Sequence, residues 1–206
     1  QPGYHKASGY YLAMPDGFSM PPVPDEPTEE DVRTARDNLD DVLWDFPFDD
    51  DAASKAPVIA KLVQTFIREM LDGPCPLYVT QKPQARTGAS LLTDVVSLIA
   101  FGIETRAMTE KASDEEYDKV IVTLLKECAR HIVFDNVSER LDSAPLAQLI
   151  TSTIYRGREL GASRSIAERV TQLVEVAGNN IRLSDELRER SLLTVLNARC
   201  ERPQDR

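Results

Sequence analysis

Two early segments carry apolar residues at a helical period, and the spacing then changes. Thr28 precedes Glu29-Glu30-Asp31, a cap followed by acids that suit a helix N-terminus. From there Val32, Ala35, Leu39, Val42 and Leu43 share one face, until Pro47 stops the helix. A second helix is predicted from about Ser54 to Leu71, where Val58, Ile59, Leu62, Val63, Phe66, Ile67 and Leu71 keep the period and Gly73 ends it. Trp44, Phe46 and Phe48 read as core or docking aromatics of this front layer. Next comes a short strand, Pro76 to Thr80, then a loop to Gly88, then a helix from Ala89 to Ala100 closed by Gly102. Ser113-Asp114-Glu115-Glu116 reads as a capping box opening a helix that runs through Glu127, where Lys119 and Glu116 read as a solvated pair. His131 to Phe134 is an apolar strand ending in Asp135, with His131 in a structural role. Ala144 to Thr151 is helical, and Gln172 to Ala177 alternates like a strand before Gly178-Asn179-Asn180. Ser184 to Arg190 is a short helix and Leu192 to Leu196 a last strand. Strands alternating with helices predict an α/β fold with a parallel sheet.

Ahead of these elements lies a stretch rich in tyrosine and proline, with the extended run Pro21-Pro22-Val23-Pro24. Residues 1–27 therefore read as a linker or arm, 28–74 as an N-terminal helical layer and 75–206 as the core. The chain begins at Gln1 rather than Met, which suggests a piece of a longer protein.

Composition narrows the class. With 42% apolar and 28% charged residues the chain is globular rather than disordered. Its most apolar window, Ala89 to Ile103, is interrupted by Asp94, short of the ~18 apolar residues of a membrane span. No basic-then-apolar leader is visible, and a cytoplasmic protein is expected. The three cysteines, Cys75, Cys128 and Cys200, are far apart, and His5 and His131 are the only histidines. Neither a zinc site nor a disulfide scaffold is expected, and the cysteines read as reduced.

The net charge of −10 sits in one place. Twelve acids and two bases lie between Asp25 and Asp51, and the rest of the chain balances. A neutral body does not exclude nucleic acid. Ten arginines and no lysine occur from Arg156 to Arg206, and guanidinium forks suit phosphates. A solvated arginine-bearing surface is the plainer reading.

Candidate chemistry begins where the first strand meets its helix. Pro83-Gln84-Ala85-Arg86-Thr87-Gly88-Ala89-Ser90 stands where a phosphate-binding loop, G-x-x-x-x-G-K-[ST], would stand. Gly88 and Ser90 match, whereas Pro83 replaces the first glycine and Ala89 the lysine. In such loops the backbone amides cradle phosphates and the hydroxyl reaches magnesium. Some 45 residues on, the strand ends in Asp135-Asn136, a place for a magnesium-directing carboxylate or simply for an acid at a turn. The strand running into Gly178-Asn179-Asn180 would bring an amide beside a γ-phosphate, or form an ordinary Asn-containing turn.

Taken in order, these pieces resemble the P-loop ATPase, helicase-type domain of mobile-element replication proteins. Such proteins occur in prophages, plasmids and integrative elements, and the domain often follows a primase-polymerase. The pieces include Asp45-Phe46-Pro47-Phe48, Lys82-Pro83 through Leu92, Phe134-Asp135-Asn136-Val137, Ala177 through Asn180, Leu183-Ser184 with Arg190, and Glu201-Arg202-Pro203 with Arg206. The resemblance covers about three quarters of the chain. It implies an AAA+-like parallel sheet flanked by helices, with ATP and Mg²⁺ as cofactors. Lys82, Arg86, Thr87, Gly88, Ala89, Ser90, Leu91 and Asn179 would hold the nucleotide, and Ser90 and Asp135 the metal. Asp135, Asn136, Asn180 and Arg190 would carry the chemistry, with Arg190 or Arg206 as an arginine finger toward a neighbouring subunit. Lys82 or Arg86 would replace the absent loop lysine. Asn136 stands where many relatives keep a catalytic Glu, and it cannot act as a base. Between the acid strand and the sensor strand such ring helicases carry a DNA-contacting hairpin, which makes Arg158, Arg164 and Arg169 DNA candidates. The implied partners are single-stranded or forked DNA, further copies of the chain in a ring and an upstream primase, with no membrane. The alternative is a degenerate loop domain that scaffolds or oligomerises a primase without hydrolysing ATP.

Overall fold

Thr28 opens the first long helix as its sequence dictates. Its hydroxyl accepts from the Asp31 amide at 3.2 Å, and the Asp31 carboxylate accepts from the Thr28 amide at 2.8 Å. The computed structural model describes residues 3–6, 9–13, 24–137, 140–158 and 165–203. The chain divides into two units, Gln1–Asp45 and Phe46–Arg206. In the first unit β1 (Gly3–His5) and β2 (Tyr10–Leu12) pair antiparallel, a ribbon that the sequence pattern does not signal. Helix α1 (Glu29–Leu43) completes it. Of the apolar face expected on α1, only Leu43 is buried; Val32 and Val42 are half exposed and Trp44 is 81% exposed. A single helix cannot bury a full stripe without a second layer of its own.

The second unit contains α2 (Asp51–Ile67), a 3₁₀ turn (Arg68–Met70), β3 (Leu77–Lys82), α3 (Ala89–Phe101), β4 (Met108–Thr109), α4 (Asp114–Lys126) and β5 (His131–Val137). There follow β6 (Arg140–Leu141), α5 (Ala144–Thr151), β7 (Ile154–Arg158), β8 (Ser165–Arg169), β9 (Leu173–Asn179), β10 (Arg182–Leu183), α6 (Asp185–Arg188) and β11 (Ser191–Val195). Five strands form one sheet in the order β11-β3-β9-β5-β4, and every pair is parallel. Their carboxyl ends therefore share one edge, where ligands of such sheets bind.

The two faces of the sheet are packed by different chemistry. Alternation along β9 and β5 sends Val174, Val176, Ile132 and Phe134 to one side, where they meet Tyr117, Ile121 and Leu125 of α4 and Leu146, Leu149 and Ile150 of α5. The Phe134 and Tyr117 rings pack edge-on at 5.1 Å. Each large side chain buried there contributes about 1.5–3 kcal/mol. The other face, under α2 and α3, is built around a carboxylate. Glu175 lies in the middle of central strand β9 and is fully buried. Lys61 of α2 reaches it at 2.7 Å, Thr80 of β3 donates to it at 2.8 Å and His131 of β5 lies at 3.2 Å. The Thr93 hydroxyl of α3 is shared between Glu175 and the Ala89 carbonyl, at 3.2 and 3.1 Å.

This carboxylate corrects two readings of the sequence. Strand β9 does not alternate in burial; Leu173 through Gly178 are all buried, because β9 lies between two strands with helices on both faces. Helix α2 keeps the expected period but turns a different stripe inward. Ser54, Val58, Lys61, Leu62, Gln64 and Arg68 are buried, while Val63 and Phe66 face solvent. The sheet offers α2 polar groups to satisfy, so polar residues face it. Tyr78 donates its hydroxyl to Gln64 at 2.9 Å, and Arg68 caps the carbonyls of Leu71, Gly73 and Val170 at 2.8–3.1 Å. Helix α4 has the Ser113 half of the expected capping box, while Glu116 turns its carboxylate to Lys119, which also pairs with Glu115.

Burial pushes the Glu175 pKa up, but the Lys61 ammonium and then the His131 hydrogen bond outweigh it and hold the carboxyl well below the ordinary glutamate range. A carboxyl with a depressed folded-state pKa adds stability above its unfolded pKa and loses it as the pH falls. Glu175→Gln should cost about 3–5 kcal/mol at neutral pH, because it strands Lys61 as a buried, unpaired charge. The gap from the parent chain in urea unfolding should narrow as the pH drops below the ordinary value of 4.5. A paired Lys61→Met, Glu175→Leu chain should lose much less, since no charge is left alone.

Candidate functional site

The loop Pro83 to Gly88 leaves the carboxyl end of β3 and enters α3 through Gly88. Gly88 has φ +95°, the left-handed region that glycine occupies without strain. A side chain there would find room, since the nearest atoms are ring carbons of Phe46 at 3.7 Å, so the conformation and not the space calls for glycine. Helices α1, α2, α4 and α5 each begin with a side-chain cap from Thr28, Asp50, Ser113 or Ser143. Helix α3, like the short α6, has none, so among the described residues its first amides have no side-chain cap.

Ser90, in the first turn of α3, donates its hydroxyl to Asp135 Oδ2 at 3.0 Å. The two residues are 45 positions apart and meet across an intervening strand, β9. Asp135 arrives there through an irregularity in β5. Pairing with β9 shifts register between Phe134 and Val137, and Asn136 takes φ +57°. The Asn136 amide donates to Asp135 Oδ1 at 2.7 Å, which fixes the carboxylate from behind. A bulge of this kind re-aims one side chain out of the pleat. It also brings the Val137 backbone against Gly178, where an added Cβ would lie 2.1 Å from the Val137 carbonyl oxygen. The glycine before Asn179-Asn180 is thus demanded by the same bulge that presents the acid.

Strand β9 carries its asparagines to this edge. Asn179 pairs in register with Lys82, and the Asn180 amide donates to the Lys82 carbonyl at 3.2 Å. Lys82, Asn179, Asn180 and Asp135 therefore crowd the carboxyl ends of three adjacent strands. Lys82 is largely buried, Arg86 is exposed on the loop with φ +64°, and Thr87 is buried with its hydroxyl toward the Gln84 carbonyl at 3.4 Å. The Ala89 methyl is buried and brings no charge, and Leu91 projects into solvent. The segment after Asp45 flanks the loop. Phe48 bridges to Leu196, Asn197 donates to the Pro47 carbonyl at 2.7 Å and Arg199 to the Asp49 carbonyl at 2.7 Å.

Other candidates lie elsewhere. Arg190 precedes β11 and its carbonyl accepts from the Leu77 amide, at the opposite end of β3 from the loop, roughly 16 Å away along the strand. Its guanidinium bonds the Glu186 carbonyl at 3.1 Å. Arg164 and Arg206 lie outside the described residues. Strands β7 and β8 form an antiparallel hairpin clamped to α4. Tyr155 is buried and donates to Asp118 at 2.6 Å, and a Cβ on Gly157 would meet Val122 at 2.5 Å. Arg158 is exposed toward the tip, while Arg169 lies at the base in an ion pair with Glu69 at 3.2 Å. Alternation places Arg156 on the same outer side as Arg158, with its side chain exposed.

Two further arginines converge on the asparagines. The parallel pair β6–β10 aligns Arg140 with Arg182, and both line a pocket of about 470 Å³ with Asn179 and Asn180. Nothing in the apolar period marks them; the available signal was their position, each just after a strand end that carries a polar candidate. Among the described residues no group of three His, Cys, Asp or Glu side chains is placed to hold a metal ion. No helix among them is long and apolar enough to cross a membrane.

The chain is thus an α/β fold: an all-parallel five-stranded sheet flanked by helices, with an uncapped strand–loop–helix entry and an acid two strands along at its carboxyl edge. No protein-family model matches the sequence, and no curated protein matches it. Among solved structures the chain is similar to the A form of the NrS-1 C-terminal region, with 15% identity, a TM-score of 0.47 and coverage of 84% of this chain and 39% of that one. It is also similar to JCV helicase with a bound acetamide compound, with 11% identity, a TM-score of 0.46 and coverage of 82% and 51%. The chain thus spans 39% and 51% of the lengths of these two proteins.

Gly178→Ala should destabilise the domain by at least the roughly 1–3 kcal/mol typical of an overpacked site, because the clash is with backbone. Urea unfolding measures this, and an unchanged midpoint would show that the bulge at Asp135 tolerates a wider strand spacing.

Proposed function

We propose that this chain is an ATP-dependent motor domain of helicase or translocase type. It acts on single-stranded or forked DNA during mobile-element replication, as a ring and beside a primase. The observation that carries the reading is the 3.0 Å bond between Ser90 and Asp135 at the carboxyl edge of the sheet. A hydroxyl and a carboxylate meeting at the entry of an uncapped helix are the hard oxygen donors that magnesium takes alongside phosphate oxygens and water. With one carboxylate at hand among the described residues, the ion would depend on the nucleotide for most of its ligands.

Bound Mg·ATP supplies the transferable phosphoryl group and the metal charge. The chain's own residues bind and orient it. The amides from Gly88 to Leu91 face the phosphates, and Ser90 and Asp135 hold the ion side. Asn179 and Asn180 present amides from the strand between. Lys82 stands in for the loop lysine from the end of β3, with Arg86 as a second cation on the loop. Arg190 lies too far from its own loop to act there and serves a neighbour's nucleotide as the finger, stabilising developing charge. Arg158 and Arg156, on the outer side of the clamped hairpin, contact the DNA backbone.

The scaffold reading is favoured by two specific observations: Ala89 is a buried methyl, and Asn136 in a left-handed turn is no base. Calorimetry with ATP separates the two. On the motor reading, Ser90→Ala and Asp135→Ala should weaken binding about tenfold or more when magnesium is present and little when it is absent. Lys82→Ala should weaken binding in both conditions. Asp135→Ala and Arg190→Ala should abolish DNA-stimulated turnover while the unfolding curve stays that of the parent. Magnesium-dependent binding with no turnover, with or without DNA, favours the scaffold. Undiminished turnover in both variants overturns the residue assignments.

A further inference from the structure

At the amino end of the sheet, away from the loop, a pocket of about 770 Å³ opens between α3, the end of α4 and the start of β5. Two of its lining groups are Ser97, 1% exposed, and the His131 side chain, 4% exposed. Ser97 Oγ and His131 Nδ1 are buried and have no hydrogen-bond partner among the described residues. Buried polar atoms are nearly always paired, and two unpaired on residues that line one cavity point to an occupant.

His131 defines what that must be. Its Nε2 lies 3.2 Å from Glu175 Oε2, and Glu175 also faces the Lys61 ammonium at 2.7 Å. A carboxylate only accepts, so Nε2 carries a proton, and a ring protonated there alone leaves Nδ1 a lone pair. Facing that tautomer, an occupant supplies a donor for Nδ1 and an oxygen for the Ser97 hydroxyl. At the mouth, Arg106 and Arg130 are exposed and make no side-chain hydrogen bond or ion pair among the described residues. Guanidinium forks select oxyanions. Glu104 and Glu127 share the mouth and leave it without net charge, which disfavours a polyanion such as a nucleoside triphosphate. A small oxyanion that keeps one O–H meets all of these demands.

We infer that this pocket binds hydrogen phosphate, its P–O–H donating to His131 Nδ1, the Ser97 hydroxyl donating to a phosphate oxygen, and Arg106 and Arg130 covering the remaining oxygens. Ser97 lies two turns along α3 from Ser90, about 10 Å. His131 lies four residues before Asp135 on β5, about 13 Å. Phosphate therefore braces, from the far end, the helix and strand whose other ends form the Ser90–Asp135 pair. The inference stands whether or not the loop binds ATP.

Calorimetry on the whole chain with inorganic phosphate tests it, with sulfate as a like-sized oxyanion that has no O–H at neutral pH. Phosphate should bind at least about tenfold more tightly than sulfate, because an unmet buried acceptor rejects a ligand without the donor. Ser97→Ala and the surface change Arg130→Ala should each weaken phosphate about fivefold or more. Ser90→Ala, at the other end of α3, distinguishes the loop as the binding place. No phosphate binding, equal binding of sulfate, or loss in Ser90→Ala without loss in Ser97→Ala overturns the proposal.

Discussion

A charged glutamate in the middle of the central strand constrains the whole second unit. Glu175 has no water to solvate it, so every element against that face must answer it. Helix α2 supplies Lys61, α3 supplies Thr93, β3 supplies Thr80 and β5 supplies His131. Removing charges from water costs free energy that their attraction only partly returns, so the cluster is not a source of large net stability. Its effect is on arrangement. Only one rotation of α2 brings Lys61 inward, and that rotation carries Gln64 to Tyr78 and Arg68 to three carbonyls. The opposite face, held by hydrocarbon, makes no such demand on orientation.

The candidate site follows from this frame together with one irregularity. Parallel strands place the ends of β3, β9 and β5 on one edge, but a regular β5 would continue its pleat past Asp135. The left-handed Asn136 breaks the pleat, presents the carboxylate to Ser90 and uses its own amide to hold it. The bulge leaves the Val137 backbone against β9, and only glycine at position 178 fits. Gly178, Asn136 and Asp135 thus form a single geometric device rather than three separate features.

Much of the fold was legible in the sequence. Thr28 and Ser113 announce helices because their hydroxyls satisfy amides that nothing else reaches. Gly88 and Gly102 mark both ends of α3, and Pro47 separates α1 from α2. The apolar runs at β3, β5 and β11 read as strands because each is short and bounded by turn residues. Within the site, Gly88, Ser90, Asp135, Asn179 and Asn180 were visible as a strand–loop–helix entry followed by two polar strand ends. Of the buried stripe of α2, Val58 and Leu62 were visible and the polar members were not. Period counts apolar residues and assumes that they face inward, whereas here Lys61, Gln64 and Arg68 do. Arg140 and Arg182 stayed hidden because their convergence depends on the pairing of two strands of two residues each.

Local chemistry along the chain thus determined which segments are helices and strands, where they stop and which polar residues stand at strand ends. Capping, turn and period signals act over three to seven residues, and neighbouring residues carry them in full. Tertiary structure alone decided which face of α2 is buried, that β9 separates β3 from β5, that Ser90 meets Asp135 and that Arg190 sits at the far end of its own sheet. Those outcomes depend on groups tens of residues apart satisfying one another's charge and hydrogen-bonding needs out of water, a condition set only when the strands are in register.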